Sequence, residues 1–306
     1  MEPFTTEMFT DAVVQGGGQV TPLDDTTRGL LWVSPTGSEQ LQDILARYPG
    51  IEWVQLPWAG VDAFAEVISS LAAAPEETRA VVTSAKGAYS EPVAEHALAL
   101  VLGCMRELPR KARDAHWQPE RTGISLFGRH IVLLGAGGVG KAFLELVAPF
   151  RPRITVVRRS QESVPGVSAT ITPDRLHEVL PDADTVVVAA ALTSQTQHVI
   201  GAPDLALMPE HAVLVNIARG PLVDENAVLA AVSSGKLFGA GLDVMNPEPF
   251  PDDHPIWGEP RIVITSHSAD TPEMTAPLLA RRISANVAAY RGAGPLAGVV
   301  DLEAGY

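Results

Sequence analysis

From residue 130 onward the apolar positions fall in short, almost unbroken runs separated by stretches of helical character. The runs are HIVLLG (130–135), ITVVRR (154–159), DTVVVAA (184–190), AVLVNIA (212–218), GAGLDV (239–244) and RIVIT (261–265). Alternating apolar and polar residues would mark a sheet with one wet face. Continuous Val, Ile and Leu mark strands buried on both faces, as in a parallel sheet covered by helices. Helix starts lie between the runs, among them TPDRLHEVL, with Thr172 before Pro173, and DENAVLAAV. Six strands with helical crossovers predict an α/β fold, a Rossmann-type doubly wound parallel sheet.

Residues 1–90 repeat a looser version of the scheme, with GLLWVS, EWVQLP and RAVVTSA as strands and SEQLQDILARYP as a helix. This predicts a second, smaller, flavodoxin-like α/β domain. It starts near a helix, so its first strand is expected to be absent or abbreviated. EPVAEHALALVLGCMRELPRKARDA is apolar on nearly all sides before giving way to charge, and reads as a buried interdomain helix. A last long helix, PEMTAPLLARRISANVAAYRG, is expected to return to the first domain. The expected division is 1–91 with 275–306 for a discontinuous substrate-binding domain and 92–274 for a dinucleotide-binding domain, with a ligand in the cleft between them.

Composition narrows the partners. The chain of 306 residues has 46% hydrophobic and 19% charged residues and a formal net charge of −14, which repels nucleic-acid backbones and anionic membranes. The short basic stretches Arg110–Arg113 and Arg151–Arg159 are mixed and read as solvated faces. The single cysteine, Cys104, lies in an apolar helix and reads as a small buried hydrophobe. The N-terminus has no basic segment followed by an apolar one, and no apolar run approaches a bilayer span, so a cytoplasmic protein is expected. No metal-ligand spacing stands out, and no metal is expected.

GAGGVG (135–140) ends one strand and opens a helix, with Gly135, Gly137 and Gly140 at the G-x-G-x-x-G positions and Gly138 and Val139 at the helix start. The first glycine permits the turn, the second lets a pyrophosphate approach, and the third lets helix and strand pack; free amides at the helix start hold the phosphates. At the end of the next strand an NAD site carries a carboxylate for the ribose hydroxyls. Here the sequence reads VVRRS, and Arg158 and Arg159 offer charge to a 2′-phosphate instead, favouring NADP over NAD. The other reading makes both arginines surface residues.

AGVD (59–62), EPVAEHALAL (91–100), GAGGVG, NIARGPLVDE (216–225), GLDVMNPEP (241–249), HPIWGEP (254–260) and ITSHSA (264–269) occur in an order that resembles the D-isomer-specific 2-hydroxyacid dehydrogenase family over nearly the whole chain. The resemblance implies a catalytic trio of Arg219, Glu248 and His267. Arg219 would grip the substrate carboxylate and polarise the keto oxygen. His267 would be the acid in reduction and the base in oxidation. Glu248 would accept the other ring N–H, fixing the tautomer and favouring the imidazolium. In isolation, a capping His267 and a solvent-facing Glu248 would be the simpler readings.

The same resemblance assigns the substrate carboxylate to amides at Ala59, Gly60 and Val61, and the nicotinamide carboxamide to Asp243, for which a capping or turn role is the alternative. Thr193 and Ala218 are expected along the cofactor groove. Trp58, Trp117 and Trp257 are expected either to shape the pocket or to pack in the core. The family often has proline before the histidine, where this chain has Ser266, and no regulatory extension is expected after PLAGVVDLEAGY. The resulting expectation is an NADPH-preferring reductase of a small 2-oxo acid such as glyoxylate or hydroxypyruvate, a homodimer as family members usually are. Two alternatives stand beside it, an NAD-dependent D-3-phosphoglycerate dehydrogenase-like enzyme and a non-catalytic, nucleotide-sensing corepressor-like protein.

Overall fold

The computed structural model describes residues 1–304 in two units, each built on its own sheet. One unit comprises residues 1–89 and the chain from 271 onward; the other comprises residues 90–270.

In the first unit, strands β1 (Gly29–Leu31), β2 (Trp53–Gln55) and β3 (Val81–Thr83) pair in parallel in the order β1-β2-β3. The expected weak first strand is reduced to one parallel bridge, Glu2 to Trp32, on the outer edge of β1, while Val299 bridges Thr83 antiparallel on the far side. Helix α1 (Glu7–Gln15) follows that bridge, capped by Thr6 accepting from the Phe9 amide. Helices α2 (Ser38–Arg47) and α3 (Ala65–Ala73) cover a core of Leu30, Trp32, Val54, Leu56 and Val82. One polar cluster is buried here: Asn286 donates to Gln55 and to the Ala297 carbonyl, and Thr83 joins Gln55 to the Trp53 indole.

The second unit opens with α4 (Ser90–Met105), which ends before Glu107, a left-handed residue preceding Pro109; only the short α5 (Leu108–Lys111) follows. The sheet then runs through β4 (His130–Leu134), β5 (Arg153–Val157), β6 (Ala169–Ile171), β7 (Thr185–Val188), β8 (Val213–Asn216), β9 (Gly239–Leu242) and β10 (Ile262–Ile264). All pair in parallel, in the order β10-β9-β8-β7-β4-β5-β6. Six strands were expected and there are seven; β6 is a three-residue edge strand in a weakly apolar segment. A second correction concerns TPDRLHEVL, which forms a 3₁₀ turn at Pro173–Arg175 and one α turn at Leu176–Val179, because Pro181 closes off any continuation.

Successive residues on the central strands enter different cores, which explains their unbroken apolar sequence. Ile131, Leu133, Val187 and Val215 face α4 and α6 (Gly138–Val147), whereas Val132, Leu134, Val186 and Leu214 pack with Leu205 of α8 (Ala202–Leu207) and Val228 of α9 (Glu225–Ser233). Each such side chain contributes about 1.5–3 kcal/mol relative to exposure. Cys104 is buried among them, its thiol pushed up to about 12 by desolvation. Residues 112–123 form an exposed loop in which Trp117 is 95% exposed, so Trp117 does not pack in the core of this unit. In the first unit, α10 (Pro272–Ala288) is capped by Thr271 and packs on α1. Among the described residues no helix is long and apolar enough to cross a membrane.

Candidate active site

The strand order of the larger sheet reverses at β4, between β5 on one side and β7 on the other, and ligands bind such sheets beyond the carboxyl ends of the strands at this reversal. The candidate residues of this unit all follow those ends: the glycine loop after β4, Arg158 and Arg159 after β5, Thr193 after β7, Ala218 and Arg219 after β8, Asp243 and Glu248 after β9, and His267 after β10.

The glycine loop passes a fit test for a dinucleotide. Gly135, at φ 98°, lies against the backbone of Ala189, where a Cβ would come within 2.5 Å of its carbonyl oxygen; a Cβ on Gly140 would meet the Gly135 oxygen at 2.5 Å. Both are close approaches of protein to protein. A Cβ on Gly137, the N-cap of α6, would meet nothing within 4 Å. The middle glycine therefore leaves the start of α6 uncovered by a side chain, where a pyrophosphate would need to approach the first helical amides. Beyond β5 the Arg158 amide is held by the Ile171 carbonyl, and its guanidinium makes no ion pair among the described residues. Thr193 lies in a turn with Thr196, its amide donating to the Thr196 hydroxyl at 2.8 Å.

Arg219 sits half-buried in extended backbone as the N-cap of a 3₁₀ turn, Gly220–Leu222. Its carbonyl accepts from Asn216 and one guanidinium nitrogen donates to the Ala218 carbonyl, while the Asn216 side chain also accepts from the Ala218 amide. Gly220 explains the ARG sequence. A Cβ there would lie 2.1 Å from the Met245 carbonyl carbon and oxygen and 2.7 Å from the Asn246 nitrogen. The Arg219 turn thus rests directly on the segment leading to Glu248.

Glu248 binds in two directions: Oε1 accepts the Met245 amide at 3.0 Å, and Oε2 lies 2.8 Å from Nδ1 of His267. The ring is about half exposed. Since Glu248 takes Nδ1–H, Nε2 is the nitrogen left to exchange a proton with a ligand. Ser266 and His267 both adopt left-handed backbone, φ 49° and 51°. Proline, fixed near −65°, could not occupy position 266 in this turn, so serine there permits the local path.

The Asp243 carboxylate is held by several protein donors. It is 1% exposed and accepts from the Thr265 hydroxyl at 2.6 Å, the Ser268 amide at 2.9 Å and the Ala269 amide at 3.2 Å, with His96 Nε2 at 3.4 Å. Burial raises its pKa, but the hydrogen bonds from His96, Thr265 and Ser268 prevail and hold it below the usual carboxylate range. These bonds organise the turn at residues 265–269 around Asp243. Nearby Asp270 is shifted upward by burial and by Asp243, against the pull of His267. His96 and Thr265 were not singled out from the sequence; the one available signal was a histidine within an otherwise apolar helical run.

Ala59, Gly60 and Val61 belong to the first unit. The Ser84 hydroxyl donates to the Ala59 carbonyl and the Ala85 amide to the Trp58 carbonyl, while Tyr89 donates to the Pro57 carbonyl and meets the Trp58 ring edge-on. The loop is therefore stapled in place. Trp257 is 43% exposed and donates to the Pro251 carbonyl beside Phe250. Among the described residues no cluster of three or more His, Cys, Asp or Glu side chains could hold a metal.

Residues 98–269 match the family profile of the NAD binding domain of D-isomer specific 2-hydroxyacid dehydrogenases. An uncharacterized Corynebacterium melassecola protein is 32% identical over 97% of this chain and 96% of its own. A glyoxylate reductase of Korarchaeum cryptofilum is 31% identical over 69% of this chain and 66% of its own length. Among solved structures, a D-isomer specific 2-hydroxyacid dehydrogenase from Xanthobacter autotrophicus Py2, in complex with NADPH and MES, superposes with a TM-score of 0.81 at 26% identity, covering 100% of this chain and 98% of that one.

Proposed function

The chain belongs to the D-isomer specific 2-hydroxyacid dehydrogenase family, NAD(P)-dependent oxidoreductases, and on that premise we propose that it reduces a small 2-oxo acid, glyoxylate or hydroxypyruvate first among them, with NADPH preferred. The observation that carries the reading is the Glu248–His267 pair at 2.8 Å, on a segment against which Gly220 seats the Arg219 turn.

Gly135, Gly137 and Gly140, with the amides of Gly138 and Val139, would hold the pyrophosphate, and Thr193 and Ala218 would border the dinucleotide. Bound nicotinamide supplies a hydride to the carbonyl carbon. Arg219 grips the substrate carboxylate with its planar fork and polarises the keto oxygen. The proton on His267 Nε2 passes to that oxygen as it becomes a hydroxyl, and Glu248, hydrogen-bonded to Nδ1, keeps the ring in the required tautomer and stabilises its charged form.

The NADPH preference rests on the missing carboxylate after β5 and on Arg158, whose guanidinium makes no ion pair among the described residues. The NADPH bound to the Xanthobacter relative supports it. The substrate class rests on the named glyoxylate reductase. The test is a set of initial rates with NADPH and NADH against glyoxylate, hydroxypyruvate, pyruvate, phenylpyruvate and 3-phosphohydroxypyruvate, with His267→Ala as control. Turnover that favours NADPH and disappears in the control is expected. Tight nucleotide binding without turnover of any substrate would overturn the reading in favour of a sensor.

A further inference from the structure

The His267 turn is a demanding piece of backbone. Two consecutive non-glycine residues in the left-handed region each cost about 1–2 kcal/mol, and the turn persists only if its surroundings over-determine it. The restraints come from the residues that follow β9 and β10, and from α4 behind them. The His267 amide donates to the Asp243 carbonyl, the Ser268 and Ala269 amides donate to the Asp243 carboxylate, and the Ser268 hydroxyl donates to the Thr265 carbonyl.

Counting protons assigns a direction to the contact with α4. The Thr265 hydroxyl has one hydrogen, and it points to Asp243 Oδ1 at 2.6 Å. His96 Nε2, 2.9 Å from the same hydroxyl oxygen, must therefore be the donor, so it carries a hydrogen that also lies toward Asp243 Oδ1 at 3.4 Å. The chain of donors runs from His96 through Thr265 to a buried carboxylate, and that carboxylate receives the two amides that follow the acid.

We propose that His96 is a positioning residue for His267: its Nε2–H orients Thr265 and completes the shell of Asp243, locking the left-handed turn that aims the His267 ring. The inference rests on the reading of His267 as the acid. It follows that His96→Leu leaves Thr265 free to rotate, loosens residues 265–269 and misdirects the ring while the phosphate-holding loop stays intact.

The experiment pairs two measurements on the full chain. In steady-state kinetics, His96→Leu lowers kcat roughly tenfold to a hundredfold, the scale of a small misplacement of a reacting group. The NADPH Kd stays within about twofold because the glycine loop is untouched. Thr265→Val reproduces the fall, the double variant is no worse than either single one, and His96→Gln, whose amide reaches the Nε2 position, restores most of kcat. In amide hydrogen exchange, residues 265–269 exchange faster in His96→Leu and return to wild-type rates in His96→Gln. If His96→Leu does not fold, Thr265→Val carries both tests. Wild-type kcat together with wild-type exchange in the leucine variant, or additive effects in the double variant, overturns the proposal. A wild-type protein that turns over no 2-oxo acid refutes the functional reading instead, and the exchange experiment still decides whether His96 holds the turn.

Discussion

Gly220→Ala adds one methyl group where the Arg219 turn meets the segment leading to Glu248. The new Cβ would lie 2.1 Å from the Met245 carbonyl, against 3.4 Å or more for an ordinary contact. Neither neighbour is the end of a flexible side chain, so the two backbones must part by roughly 1 Å, an overpacking that costs about 1–3 kcal/mol. For a unit of this size each kcal/mol lowers Tm by about 2–4 °C. The larger effect falls on catalysis, because Arg219 moves relative to the Glu248–His267 pair: kcat/KM drops by about a hundredfold. The glycine loop at 135–140 is not touched, and the NADPH Kd changes by less than about threefold. Gly258→Ala is the control, since its Cβ meets nothing within 4 Å. Differential scanning calorimetry, fluorescence titration with NADPH and initial rates give the three quantities. A Gly220→Ala enzyme whose kcat/KM equals that of the control would refute the claim that this approach of backbones holds Arg219 in register.

Gly137→Val places its Cβ where no residue beyond the glycine's own helix and chain neighbours lies within 4 Å, so Tm stays within about 2 °C while the NADPH Kd rises more than about tenfold in the same titration. Arg158→Ala removes charge-assisted contacts worth about 1.5–3 kcal/mol, and the ratio of kcat/KM for NADPH over NADH falls by about ten- to a hundredfold, read from parallel initial rates. Asp184 is shifted upward by burial but held below the usual carboxylate range by hydrogen bonds from the His130 amide, His211 and Arg129. Its stabilisation is complete above the unfolded value of about 3.9 and is lost as pH falls through the lower folded value. Urea denaturation of Asp184→Asn should show a deficit of about 1–3 kcal/mol at pH 7 that closes as pH drops below about 4.

The strands of the larger sheet were legible because burial on both faces leaves no polar alternation to confuse with another element. Ile131 and Val132 enter separate cores, and both must be apolar. β6 was not legible: three residues at a sheet edge bury little, and Ala169 is exposed. The glycine loop, Arg219, Glu248 and His267 stood out because each belongs to a spaced motif. Asp243 was visible as a site residue with its role left open between ligand and turn; its carboxylate's partners, His96 and Thr265, come from segments 147 and 22 residues away, and no local pattern records such a meeting. Trp117 shows the converse, a residue type that reads as core or pocket wall but is carried on an exposed loop.

The central claim is hydride transfer to a 2-oxo acid at the site of Arg219, Glu248 and His267. Its most direct test uses NADPH deuterated at C4 of the nicotinamide, on each face in turn, with glyoxylate and hydroxypyruvate, and mass spectrometry of the product. One of the two labelled forms should deliver deuterium to C2 of the hydroxy acid, with transfer abolished in His267→Ala. A C2 position free of deuterium with both forms and every 2-oxo acid tried would contradict the account.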